Sequence, residues 1–324
     1  MINIRQVLIY YSRALGYIFG RLFIFKKKKY QIFSKPGHDW FTGYYDVECV
    51  YQDTIFFHEV CDGKVSSPKS CKIMSMNLNT RTTKEIAISQ AVNWQLGSRL
   101  QVCGTDLVFN DIVDGHQVHR IVDIETGIQQ LIDFPFWLKD RSKDITVTID
   151  FERLWQARKG YGYFGRVSDG LKNCLAIYNY AGDKRYASID VDRICDDLNF
   201  EKGGYLNHVI ANDDFSYLLT TYNLNHENRR KVMPILYNVQ DDQLLTFDPG
   251  VTFSHPTFIS NFRIGYFDGT GYCSLNLVNL EKKYLLSTRL DGHPTFFNHL
   301  DFITDTYPDK YSKMQIFSVL DGKR

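Results

Sequence analysis

The most chemically capable residues in this sequence are three histidines set in a recurring phrase. Ser254-His255-Pro256-Thr257-Phe258 and Gly292-His293-Pro294-Thr295-Phe296 repeat a small residue, His, Pro, Thr, Phe, and Asn207-His208-Val209 opens a third segment of the same layout. Three neutral imidazoles with open coordination positions suit a divalent metal such as Mn, Fe or Zn. The same rings could instead serve a metal-free catalytic or binding site, or only the packing of a repeat. For any one His, a hydrogen-bonded packing role is the commoner fate. Three in register shift the balance, so His208, His255 and His293 are the expected metal ligands. The third copy keeps the imidazole and drops Pro-Thr-Phe, the reverse of what a purely structural repeat would do.

The elements that must position these rings are strands. After Lys29 the chain breaks into short apolar runs with period-two alternation, such as "TIFFHEV" (54–60), "DLVFNDIV" (106–113), "ITVTID" (145–150) and "SYLLTTY" (216–222). Asp-Gly, Asn-Asp and Thr-Gly pairs punctuate them. The three histidines lie 47 and 38 residues apart, close to the period of a four-stranded propeller blade. Further blades are expected from "GYYDVECV" to about 89, from "GSRLQVCG" to about 132, and from "FPFWLKD" to about 192. The expected fold is therefore all-β: a single β-propeller over 30–324 with six blades of four-stranded antiparallel sheet, or seven if 134–204 hides one more. A strand at "YQIFSK" (30–35) is expected to close the last blade. Past residue 30 the only helical periodicity is a turn or two near 190–198. First strands of a propeller line its channel, which would turn the three imidazoles toward one cavity.

Other polar residues fall where channel walls or covering loops are expected. Substrate contacts are expected from Tyr44, Tyr45 and Asp46 in "FTGYYD", Arg99 in "QLGSRLQ", Asn110 beside Asp111 in "FNDIVDG", Tyr161 in "KGYGY", Asn207, and Asp305 and Tyr307 in "TDTYPD". Asp150, Arg153 and Tyr163 are the catalytic candidates. Asn-Asp and Asp-Gly pairs are also ordinary turn chemistry. Arg can grip a carboxylate or phosphate with two parallel bonds, and with the tyrosines this reads as a pocket for an anionic, sugar-like ligand. No GxSxG, Walker or Rossmann fingerprint is present, so no nucleotide cofactor is expected.

Composition narrows the classes. A net charge of +1 over 324 residues gives no electrostatic case for nucleic acid. Seven cysteines without metal spacing fit free, buried thiols in a reducing compartment, and hence a cytoplasmic protein. The first 29 residues stand apart. Leu8, Tyr11, Leu15, Ile18, Phe19, Leu22 and Phe25 share one face of a helical wheel, and Lys26 to Lys29 close the segment. Arg13 and Arg21 rule out a signal peptide or a spanning helix. Residues 1–29 are expected to form a basic amphipathic helix, either lying on an anionic membrane surface at the inner face or packed on the body of the protein.

The ordered motifs "WFTGYYD", "NWQLGSRLQ", "LVFNDIVDG", "DFERL…KGYGY", "LNHV", "SHPTF" and "DGHPTF…ITDTYPD" resemble, from about residue 36 onward, a bacterial β-propeller family met among surface-polysaccharide biosynthesis genes and loosely labelled glycosyltransferase-associated. More distantly the chain is similar to oligogalacturonate lyases, propellers whose histidines hold a divalent metal that binds a uronate carboxylate. It departs from the pattern at Trp155 and Gln156, where relatives carry a His and further Arg, which puts a directly inherited general base in doubt. It also reads "FNHLD" where relatives carry a "SPDG" turn. The resemblance implies a carbohydrate-active propeller working on an acidic oligo- or polysaccharide, as a metal-dependent uronate lyase. Tyr163 would then be the base, Arg153 being disfavoured by its high pKa. Two other readings stand beside it: a glycosyltransferase or accessory protein of polysaccharide biosynthesis at the inner membrane face, and a non-catalytic propeller scaffold.

Overall fold

A computed structural model describes residues 36–42, 44, 47–60, 69–226, 229–298, 300–307 and 316–320. The expected helix at 1–29, the closing strand at 30–35, Tyr45 and Asp46 lie outside the described residues.

The fold is a six-bladed β-propeller of antiparallel sheets, each paired in chain order. The first sheet is Asp39–Phe41, Thr54–Val60, Cys71–Asn77 and Thr83–Ser89, with Val50–Tyr51 pairing onto the second of these strands. The next three run Gln101–Cys103 to Gln129–Ile132, Leu138–Asp140 to Arg185–Asp190, and Tyr205–Ala211 to Gln243–Thr246. The fifth spans Ser254–Ser260 to Lys282–Ser287, and the sixth holds three described strands, Thr295–Phe296, Phe302–Asp305 and Ile316–Val319. Segment 134–204 holds one blade rather than two. Its extra length goes into helix α1 (Phe151–Ala157), a loop, and helix α2 (Val191–Leu198).

Local chemistry explains the turns. Val113 pairs with His116 across Asp114 and Gly115, both at positive φ, the two-residue hairpin that Asp-Gly favours. The Asp150 carboxylate accepts from the Arg153 N–H and so caps α1. At seven residues, α1 is too short to announce itself by periodicity.

The chain divides into two compact units, one of Phe33–Thr246 with the first four sheets, the other including Phe247–Arg324 with the last two. In the larger unit Trp137, Phe151 and Tyr163 form an aromatic column, with ring centres 5.5 and 5.1 Å apart. In the smaller, Tyr272 packs on Phe302 at 4.9 Å, and Gly265 leaves room for Phe296, whose ring carbons lie 2.4 Å from where a Cβ would stand. Among the described residues no helix is long and apolar enough to cross a membrane.

Candidate active site

In the smaller unit, two of the three histidines meet. The His255 and His293 ring centres lie 4.3 Å apart, steeply inclined at 60°. Each is backed by a carboxylate. His255 Nδ1 is 3.1 Å from Asp291 Oδ1, and Ser254 Oγ donates to the other oxygen of Asp291 at 2.8 Å. His293 Nδ1 is 3.0 Å from both oxygens of Asp305, whose Oδ1 also accepts the His293 backbone N–H at 2.7 Å.

An ionised carboxylate only accepts, so it fixes the tautomer: Nδ1 carries the proton and Nε2 is left basic. On His255 that Nε2 stands 3.1 Å from the Tyr307 hydroxyl, which therefore donates to it. Asp291, His255 and Tyr307 form one hydrogen-bonded line that ends on a phenol 54% exposed. His293 is held below the ordinary imidazole pKa, first by burial and second by the neighbouring His255, while Asp305 pulls the other way. Protonating both rings would set two positive charges side by side, so His293 stays neutral at neutral pH.

The fold builds this cluster at the start of two blades. The backbone at His255 is left-handed, with φ of 48°, and the strand slips register between Ser254 and Thr257. A non-glycine residue in this region costs free energy, and such strain gathers at functional sites. Gly292 is small because nothing else fits: a Cβ there would lie 1.9 Å from the Asp305 carbonyl oxygen. The missing side chain lets Asp305 reach both the ring and the backbone of His293.

In the larger unit His208 repeats the local geometry. Its φ is 56°, its strand slips register between Asn207 and Ile210, and its Nε2 is 2.7 Å from the Tyr44 hydroxyl. Tyr161, Tyr44 and Trp137 surround the ring at 5.1, 5.3 and 6.0 Å between centres. Two buried polar atoms here, Trp137 Nε1 and Asn207 Oδ1, have no hydrogen-bond partner among the described residues.

The other sequence candidates in this unit are engaged within the fold. Arg99 is fully buried, its Nε donating to the Trp137 carbonyl at 2.8 Å and its guanidinium over the Trp137 ring. Asn110 gives and takes bonds with the Phe136 backbone at 2.9 and 2.8 Å, and Asp111 pairs with Arg120. Asp150, besides capping α1, accepts the Asn173 N–H at 2.7 Å, and Arg153 Nε donates to the Gly204 carbonyl at 2.7 Å. Tyr163 is buried, and burial pushes its phenol pKa up. In the "GYGY" run Gly162 packs on the backbone of α1, where a Cβ would meet Trp155 N at 2.2 Å. The structure thus joins His255, His293, Asp305 and Tyr307 in one cluster, and Tyr44, Tyr161 and His208 in another.

Sequence reasoning missed Asp291, Ser254 and Trp137. Asp291 stands in "LDGH", where Asp-Gly reads as a turn, and Ser254 reads as the small residue of its motif. Among the described residues no three His, Cys, Asp or Glu side chains are gathered to hold a metal ion.

No family model matches the chain, and no curated protein matches it. Among solved structures it is similar to an acylaminoacyl peptidase in complex with Z-Gly-Gly-Phe-chloromethyl ketone, at 10% identity over 85% of this chain and 44% of that one, with a TM-score of 0.50. An oligogalacturonate lyase from Vibrio parahaemolyticus matches at 11% identity over 90% and 93% of the two chains, with a TM-score of 0.49. An oligogalacturonate lyase in complex with manganese matches at 12% over 88% and 91%, with a TM-score of 0.44. At such identities the likeness is one of fold, a distant β-propeller relationship.

Proposed function

We propose that the chain is an acid–base enzyme acting on an acidic oligo- or polysaccharide, in the concrete form of a uronate lyase. The observation that carries this reading is the line Asp291–His255–Tyr307, an exposed phenol hydrogen-bonded to an imidazole that a carboxylate orients. Such a relay can take a proton from carbon and return one to oxygen. In an elimination the proton α to the uronate carboxylate passes to Tyr307 as the phenol proton passes to His255. The C–H electron pair becomes the new C=C bond, and the bond to the leaving sugar oxygen breaks. That oxygen then takes a proton from the same relay. Asp291 stays ionised and stabilises the imidazolium formed in between.

The sugar class rests on the motifs that resemble polysaccharide-linked propellers and on the tyrosine-rich surroundings of the histidines. The test is purified protein incubated with uronate oligomers, following absorbance of the unsaturated product. Tyr307→Phe and Asp291→Asn are each expected to lower the rate by on the order of 10²–10⁴. No unsaturated product from any uronate oligomer, with or without added metal, would sink the lyase form. Activity on a nucleotide- or lipid-linked sugar, lost on removal of residues 1–29, would instead favour a transferase at a membrane face. A phenotype unchanged by the double replacement of His255 and His293 would favour a scaffold.

One observation favours a second reading, with a divalent metal at the site. Each Nδ1 rests on a carboxylate, the usual orientation of metal-bound imidazoles. His255 and His293 would hold the ion through Nε2, Tyr307 moving off the His255 nitrogen. The metal would supply Lewis-acid stabilisation of charge on the substrate carboxylate. Metal analysis of the purified protein, compared with the double histidine variant, separates the two readings.

A further inference from the structure

Three arginines of the larger unit, Arg99, Arg153 and Arg158, differ sharply in their bonding. Arg99 and Arg153 each donate to a backbone carbonyl. Arg158 does not: among the described residues its guanidinium meets no carboxylate and no hydrogen-bond acceptor. It is half-buried, and its guanidinium stands over the Tyr161 ring with Cζ 3.9 Å from the centre. Tyr161 in turn packs edge-on against His208, and Tyr44 against Tyr161 at 6.3 Å.

Burial is what most disfavours the charge on Arg158, and a second cation, Arg230, acts in the same direction, while the phenols of Tyr161, Tyr205 and Tyr44 favour it; no carboxylate of the described residues stands among these main influences. Arg230 comes from the hairpin of the fourth sheet, opposite Asn225, whose side-chain amide reaches the carbonyl of Ala157 at the end of α1. The hairpin therefore brings a cation toward Arg158, and its two strands, as far as they are among the described residues, bring no acid with it. A partly desolvated guanidinium beside a like charge is unfavourable unless an anion joins them. Its planar fork, held against the Tyr161 ring, has its donors left to offer.

We propose that Arg158, backed by Arg230, is an oxyanion-binding site over the Tyr161–His208–Tyr44 cluster, taking the carboxylate of an acidic sugar. The choice of a uronate carboxylate rests on the function proposed above, whereas the site rests on the unpaired guanidinium. A phosphoryl group offers the same oxygen chemistry, so the experiment carries both.

Binding of a galacturonate oligomer, of its neutral methyl ester and of inorganic phosphate is measured by calorimetry at two salt concentrations. The proteins are the full-length wild type, Arg158→Gln and Arg158→Lys, with melting temperature followed in parallel. The expected result is salt-sensitive binding of the acidic oligomer but not the ester, weakened at least about tenfold in Arg158→Gln and less in Arg158→Lys, with melting temperature unchanged. Arg230→Glu supplies an internal carboxylate to Arg158 and is expected to weaken binding as well, which keeps the test open should Arg158→Gln fold poorly. Phosphate binding lost in Arg158→Gln, with no uronate binding in any protein, would uphold the oxyanion site and overturn the uronate assignment. Equal affinity of Arg158→Gln and wild type for both anions, or a melting temperature that falls while affinity holds, would overturn the site and leave Arg158 a cap on helix α1.

Discussion

His58 carries a stability prediction independent of any function. It is fully buried on the second strand of the first sheet. The Ser98 backbone N–H donates to its Nε2 at 3.0 Å, so Nε2 is the acceptor and Nδ1 carries the proton toward the Phe41 carbonyl at 3.1 Å. A second proton would have to sit on Nε2, which already accepts from that N–H and lies 2.8 Å from the Ser98 hydroxyl, in a fully buried site. Burial accordingly lowers the pKa to about 4. A histidine whose folded pKa is depressed loses stability as pH falls, because the unfolded chain binds the proton first. The window opens near the unfolded value of about 6.5 and extends to about 4. By about pH 4.5 the loss from this one group is roughly 2–3 kcal/mol, a large part of a typical folding free energy. Urea unfolding at neutral pH and at about pH 4.5 measures it, with wild type compared against His58→Met. The variant is expected to be less stable at neutral pH but to lose less on acidification, the two slopes differing by about 2–3 kcal/mol. Equal slopes, or a His58 resonance titrating near the ordinary value, would refute the reasoning.

Gly97→Ala strikes the same ring from the other side. Its φ is +57° and its Cβ would lie 2.3 Å from His58 Cε1, so a loss of about 2–4 kcal/mol is expected by urea unfolding. Gly292→Ala is expected to push Asp305 from His293, costing about 1–3 kcal/mol for bonds that are partly solvent-screened; NMR titration should show the His293 pKa lower still, and an unmoved value would count against the contact. Acidifying through the range below the ordinary imidazole pKa is expected to reduce uronate turnover, because charging His293 sets a cation against His255. A flat rate profile there would show that His293 plays no part. Lys139→Met sets two effects against each other: it removes a desolvated ammonium, lowered to about 8 by burial, and it leaves three acceptors without their donor, so a net loss of about 1–4 kcal/mol is expected. The acceptors left are His119 Nε2 at 3.1 Å, Thr146 Oγ1 at 2.9 Å and the Tyr180 carbonyl, and a drop above about 4 kcal/mol by urea unfolding would mean the lysine network is worth far more than its desolvation.

The blades were legible because they are local. Alternation, turn pairs and the repeat of the histidine phrase are all written within a few dozen residues, and the sheets begin and end near the bounds those signals set. The first sheet is an instructive exception: its opening strand is Asp39–Phe41, upstream of "GYYDVECV", because Asp39 pairs with Val60 across an interval that no local pattern announces. Helix α1 escaped for the opposite reason. Its cap, Asp150, is a single polar residue after an apolar strand, and the same residue reads equally well as a catalytic acid.

The site was half legible, and the division follows from what one residue type can reveal. An imidazole advertises itself, whereas the groups that make it useful are ordinary letters in the sequence: Asp291 within an Asp-Gly pair, Ser254 before a His, Tyr307 before a Pro. What distinguishes His208 and His255 from packing residues is conformational. Each occupies a left-handed backbone at a break in strand register, and each presents Nε2 to a tyrosine hydroxyl. Packing alone has no need of that geometry, since a Gly or Asn would hold the same φ at less cost. A strand that accepts strain at the same step in two blades, and spends it on aiming an imidazole at a phenol, is organised around the ring nitrogen. The tyrosine partners are therefore part of the chemistry of these histidines, and substitutions that spare His255 but remove Tyr307 test that chemistry more sharply than removing the histidine itself.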